Sequence, residues 1–188
     1  MRRSLACFAG LSALAALAAS AARADEPHHF EVEPGQSLVS VVLGSAAPQL
    51  SAFSAGLTGT LRDENGQRSA SLSVPLKSFT TGSAARDTKV RAALGGVGAP
   101  ELTFEGTAAS SGDKGATRFI GTLTFHGVAQ HVELPVAVTR IGEMTYLHAS
   151  FPLLLSKFGV SLPGSGDVLR IELDAGLRPA THAVASGG

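Results

Sequence analysis

The sequence has no tryptophan, one tyrosine and one cysteine, and only 16% of its 188 residues are charged. A single cysteine excludes an intramolecular disulfide framework and any cysteine-rich zinc site. Lys plus Arg and Asp plus Glu both number 15. Binding to a phosphate backbone needs a basic excess, so nucleic acid is not an expected partner. Hydrophobic residues make up 44%, too many for a disordered chain. After residue 24, Gly, Pro and charges interrupt every apolar stretch before it reaches a spanning length. Stable membrane insertion is therefore not expected.

What the chain does have begins at its N-terminus. Arg2 and Arg3 precede a small, apolar run over 5–22, which ends in Ala22-Arg23-Ala24. A basic end, an apolar middle and a small-x-small site are the layout of a secretory signal peptide. A membrane anchor is the rival reading, because the run nears the ~18-residue threshold. Its alanines contribute little insertion energy, so cleavage after Ala24 is favoured. Removing 1–24 discards Cys7 and three arginines (Arg2, Arg3, Arg23), which leaves 12 basic against 15 acidic residues, a net charge of −3. The expected product is a soluble, cysteine-free domain over 25–178 with a frayed tail over 179–188. The periplasm of a Gram-negative bacterium fits such a product best.

The mature chain alternates with period two between turn signals, the pattern of half-buried antiparallel strands. Leu57, Gly59 and Leu61 lead to Asn65-Gly66, a strong hairpin signal. Ala70, Leu72, Val74 and Leu76 follow, then Leu102 and Phe104. A turn over 112–115 precedes Phe119, Gly121, Leu123 and Phe125, and then Val132, Leu134, Val136 and Val138. Leu147, Ala149, Phe151, Leu153 and Leu155 form another face, as do Leu169, Ile171 and Leu173. The count is about eight strands. One short helix is predicted over 83–94, capped by Ser83 and stopped by Gly95 and Gly96. The stretch 46–55 reads as a loop. Such strands close into a sandwich or an up-and-down barrel, and the long strands over 116–126, 128–140 and 146–155 favour the barrel.

Motifs for catalysis are missing. Gly164-Ser165-Gly166 lacks the spacing of a nucleophile elbow, no His-Glu-x-x-His occurs, and Gly95-Gly96-Val97-Gly98 lacks the lysine of a phosphate loop. Glu31 and Glu33 share a strand face, with nothing to separate their pKa values. Six histidines remain in the mature chain. His28 and His29, with Asp25, Glu26 and Glu31, read as a solvated terminal strand rather than a metal site. His126 and His131 flank Gly127 on the outward parity and read as a solvated pair. An enzyme or redox accessory using that pair is a third hypothesis. His148 and His182 show no partners in the sequence. No catalytic residue, metal or cofactor is expected.

Four stretches resemble the YceI-like family of secreted bacterial proteins. They are Phe79-Thr80-Thr81-Gly82 with Arg86-Asp87 and Arg91; Ala99-Pro100 with Leu102-Thr103-Phe104-Glu105-Gly106; Gly121-Thr122-Leu123-Thr124-Phe125-His126-Gly127-Val128; and Lys157-Phe158-Gly159-Val160. The resemblance spans roughly residues 28 to 177. It implies an all-β, antiparallel, lipocalin-like barrel that carries a long apolar amphiphile such as a polyisoprenoid or quinone-type lipid. Two departures leave the ligand's identity open: 35–45 holds no histidine, and the segment after the helix is shortened to Gly95-Gly96-Val97-Gly98. On this reading Phe104, Phe119, Leu123, Phe125, Leu134, Phe151 and Leu153 line a tunnel. Arg86 would offer a charge-assisted fork to a headgroup, or else pin the helix with Asp87. The alternative is an exported structural or interaction barrel whose side chains fill the core. The oligomeric state is open, a homodimer being one option.

Overall fold

The computed structural model describes residues 28–44, 49–94, 101–109, 116–161 and 166–180. The expected signal peptide, the glycines at 95–98, the turn at 112–115, Gly164, Ser165, His182 and most of the expected tail lie outside the described residues, as do Asp25 and Glu26.

The described residues form nine strands: β1 (His28–Leu43), β2 (Leu50–Ser54), β3 (Thr58–Glu64), β4 (Gln67–Pro75), β5 (Glu101–Ala109), β6 (Ala116–Phe125), β7 (Val128–Ile141), β8 (Met144–Leu154) and β9 (Val168–Pro179). One α-helix, α1 (Ala84–Leu94), lies between β4 and β5. From β3 to β9 each strand pairs antiparallel with the next, and β1 pairs with both β3 and β9. Eight strands therefore close a barrel, which leaves the barrel wall without a free edge. The sandwich is excluded.

The ninth strand, β2, corrects the loop expected over 46–55. It pairs with the C-terminal part of β1, from Val39↔Ser54 to Leu43↔Leu50. Phe53 also exchanges two backbone hydrogen bonds with Thr80, each 2.9 Å. Its buried inward positions are the small residues Ala52 and Ser54, after the half-buried Leu50 at its start. Small inward residues give no apolar alternation, so the period-two signal is absent there.

Turn chemistry sets the register. Asn65 (φ 54°) and Gly66 (φ 79°) form a two-residue hairpin between β3 and β4, and His126 (φ 54°) with Gly127 (φ 76°) does the same between β6 and β7. His126 is thus a turn residue, and His131 faces Thr122 across the ladder rather than His126. The β1–β9 register shifts between Val32 and Ser37. There the Ser37 hydroxyl donates to Glu33 O (3.2 Å) and accepts from Gly176 N (3.1 Å). The bulge lets one long strand bend around the barrel wall. Gly106 and Gly121 face each other across β5 and β6. A Cβ on Gly121 would lie 2.1 Å from Glu105 O, so only glycine allows this approach of the two backbones.

The barrel has two ends. The helix end carries α1, the ends of β4, β6 and β8, and the start of β9. The far end carries the starts of β1, β4, β6 and β8 and the ends of β3 and β7. Val90 and Leu94 of α1 are almost fully buried and join the inward faces of the strands in one hydrophobic core. The outer wall carries cross-strand polar pairs beside a few exposed apolar residues such as Phe53 and Ile141. His148 Nδ1 lies 2.7 Å from Asp174 Oδ1 on β9, so His148 has the partner that its sequence neighbourhood did not reveal. Glu31 and Glu33 both reach Arg178, at 3.8 Å and 2.8 Å.

Candidate functional site

Alternation sends Phe104, Phe119, Leu123, Leu134 and Phe151 inward from four strands, and they meet around one interior cavity of about 60 Å³. Val39, Ala70, Leu102, Val136, Leu147, Ala149 and Ile171 complete much of its wall. Among the described lining residues only Ser73 and Thr103 have polar side chains, and none is charged. This space can bury hydrocarbon, and no described residue that lines it is ionisable in the ordinary pH range.

The barrel wall is not evenly laced. Pairing between β7 and β8 runs from Ile141↔Met144 to Val136↔Ala149 and stops. Past that point β7 still pairs with β6, and β8 with β9. Pro135 comes next on β7, and Pro152 lies three residues past Ala149 on β8. A proline has no N–H to donate to a ladder. The two strands part, and a groove of about 520 Å³ opens between them at the helix end. Gln130 Nε2 spans it, donating to Lys157 O at 3.1 Å. Leu153 lines this groove, together with Leu123, Leu134 and Phe151. Those last three also line the interior cavity.

Two sequence-predicted residues stand elsewhere. Phe125 is 1% exposed and lines neither space. Its ring meets Phe158 edge-on, with centroids 5.7 Å apart. Arg86 is exposed on α1.

A third space, of about 350 Å³, lies at the far end among His28, Phe30, Leu61, Asp63, Arg68, Thr117, Val138, Arg140 and Thr145. Sequence reasoning missed its polar members. The signal was available, since each continues the inward parity of its strand by one more step.

A model of the YceI-like domain matches residues 30–177 of the sequence. The chain belongs to the YceI-like family. No curated protein matches the sequence at a significant level. Solved structures do. Burkholderia cenocepacia BcnA is similar over 80% of this chain and 99% of its own, at 21% identity and a TM-score of 0.70. A polyisoprenoid binding domain from Saccharophagus degradans is similar over 80% of this chain and 98% of its own, at 15% identity and a TM-score of 0.63. The Campylobacter jejuni YCEI protein covers 70% and 85%, at 13% identity and a TM-score of 0.56. At these identities the likeness is one of fold.

The YceI-like helix segment is held by Asp87 rather than by Arg86. The Asp87 carboxylate accepts from Thr80 Oγ1 (2.8 Å), Thr81 N (2.6 Å) and Thr81 Oγ1 (2.7 Å), and Arg91 Nη2 lies 3.6 Å away. The hydrogen bonds from Thr81 and Thr80, with a smaller effect from Arg91, hold its pKa at about 2, below the ordinary 3.8. Donors aimed at the ionised form stabilise it. The folded-state pKa is lowered, so this contribution is fully present above pH 3.8 and is lost as pH falls through about 2. Asp87→Asn is expected to melt below the wild type at pH 7, with the gap closing towards pH 2. Thermal melts across that range check it; a constant gap would mean that charge is irrelevant to the lock. A similar clasp holds the 3₁₀ turn at Leu155–Phe158. Asp167 accepts from Ser156 N and Ser156 Oγ, both at 2.7 Å, and these bonds lower its pKa.

Proposed function

We propose that this YceI-like protein is a periplasmic carrier that binds a long apolar amphiphile, a polyisoprenoid or quinone-type lipid, and does not change it covalently. The observation that carries the reading is that the apolar interior cavity and the groove share Leu123, Leu134 and Phe151 in their linings. In this reading the chain contacts Phe104, Phe119, Leu123, Leu134 and Phe151 inside the barrel and Leu153 in the groove. Burial at ~25 cal/mol per Å² of apolar surface supplies the affinity. The polyisoprenoid-binding domain from Saccharophagus degradans, which shares the fold, supports the ligand class. The layout of residues 1–24 supports export to the periplasm.

The interior cavity, about 60 Å³, is smaller than the ~150 Å³ apolar cavity that admits benzene. A long chain therefore needs the walls to part. The cheapest place is the seam between β7 and β8, where no ladder hydrogen bonds between the two strands have to break. The small interior is also the one observation that favours the second reading, a barrel filled by its own side chains.

Titration with a neutral apolar fluorophore, N-phenyl-1-naphthylamine, separates the two. The carrier reading expects saturable enhancement, reversed by a twenty-carbon isoprenoid alcohol. A signal that never saturates, or that the alcohol does not displace, would leave the filled barrel.

A further inference from the structure

We infer that the far end of the barrel is a binding site for an anionic headgroup, a phosphate or carboxylate, whose apolar chain runs up the interior. This rests on the carrier reading and places the ligand's polar end opposite α1. The space of about 350 Å³ there is lined by Phe30, Leu61 and Val138 and by polar side chains at inward-parity strand positions, of which His28 and Arg140 are exposed to solvent at the barrel mouth. His28, Asp63 and Arg68 are neighbours across β1, β3 and β4. Arg140 faces Thr145 across β7 and β8.

Arg68, Thr117 and Thr145 lie one inward step below residues of the interior cavity, and Arg140 lies two steps below Val136. Arg68 lies two residues from Ala70, and Thr145 lies two from Leu147; both apolar partners line the cavity. Two residues of strand are about 7 Å. From Thr145 to Leu153 in the groove is eight residues, or about 26 Å along β8. The inward positions are polar at one end of this span and apolar beyond it, and its length suits a long amphiphile rather than a compact ligand.

The charges set the sign. Within the lining there are two arginines and one carboxylate. Arg68 Nε is bonded to Asp63 Oδ2 at 2.7 Å, and both are partly buried. That bond holds the Arg68 guanidinium in place and leaves its outer N–H groups to donate. Arg140 has no second carboxylate in this lining to satisfy it. An arginine fork matches the oxygens of a phosphate or carboxylate. At the helix end the buried charge among the described residues, Asp87, is negative and already bonded.

The test uses three displacers with one sixteen-carbon chain: hexadecyl phosphate, hexadecanoate and hexadecanol, each below its micelle concentration, against bound N-phenyl-1-naphthylamine. In the wild type both anions should displace roughly tenfold more tightly than the alcohol, the size of one charge-assisted hydrogen bond. A phosphate preference over carboxylate, or its absence, tells which oxyanion the site takes. Arg140→Gln should bring the anions down to the alcohol's affinity and leave the alcohol unchanged, while Arg140→Lys should keep part of the preference. Equal displacement by all three in the wild type overturns the headgroup site and leaves the carrier reading intact. No displacement by any of them overturns the carrier reading itself. Loss of the preference in Arg86→Gln, but not in Arg140→Gln, would put the headgroup at the helix end and overturn the inference.

Discussion

Replacing Phe125 with alanine is expected to cost ~3–5 kcal/mol of stability, the usual result of removing a buried phenylalanine, while leaving apolar-ligand affinity close to that of the wild type. The side chain is 1% exposed and packs edge-on against Phe158. It is the last residue of β6, at the helix end, and it lines neither the interior cavity nor the groove. Losing it empties a packed site that the closed barrel has little freedom to refill. Urea denaturation reports the stability, and fluorophore titration of the folded variant reports the binding. The opposite result, lost binding with little loss of stability, would place Phe125 on the ligand's path.

Phe125 also shows where parity stops being informative. It shares its face with Phe119 and Leu123, so the sequence puts all three in one tunnel. Alternation tells which way a side chain points, not how far along the barrel axis it sits. Axial position depends on strand stagger, which the ladders of β6 with β5 and β7 set and alternation does not carry. The hairpins were legible because Asn65-Gly66 and His126-Gly127 carry their own turn chemistry. The strands were legible because bulky residues mark the buried face, and β2 was not, because Ala52 and Ser54 do not.

The seam and the far-end ring share a different obstacle. Pro135 and Pro152 are visible in the sequence, but their effect depends on β7 and β8 being neighbours with a given register. Arg68 and Arg140 lie near strand ends, where polar residues are ordinarily just solvated. They become informative only once the closed barrel makes them line the same space. Asp87 is an intermediate case: the Arg86-Asp87 pair marked the segment, but the atoms that Asp87 binds are those of Thr80 and Thr81.

Ala149→Leu is the second change with a large expected effect, and it acts on binding rather than stability. Ala149 is 3% exposed, lies between Val136 and Leu173 in the sheet, and lines the interior cavity. Leucine adds three carbons to a void of about 60 Å³. Filling that void recovers up to ~1.4 kcal/mol at ~24 cal/mol per Å³. Crowding of the neighbours offsets this by ~1–3 kcal/mol, so the net change in stability is small. A chain that can no longer pass Ala149 loses contact with the interior beyond it. Excluding ~100 Å² of apolar surface costs ~2.5 kcal/mol, roughly a seventyfold loss of affinity. Phe125→Ala and Ala149→Leu thus form a crossed pair: one should lower stability and spare binding, the other should spare stability and lower binding. If Ala149→Leu bound the apolar fluorophore as the wild type does, the ligand would be confined to the outer groove. The interior of the barrel would then be core alone, because the three added carbons occupy the void of about 60 Å³ through which a chain would enter.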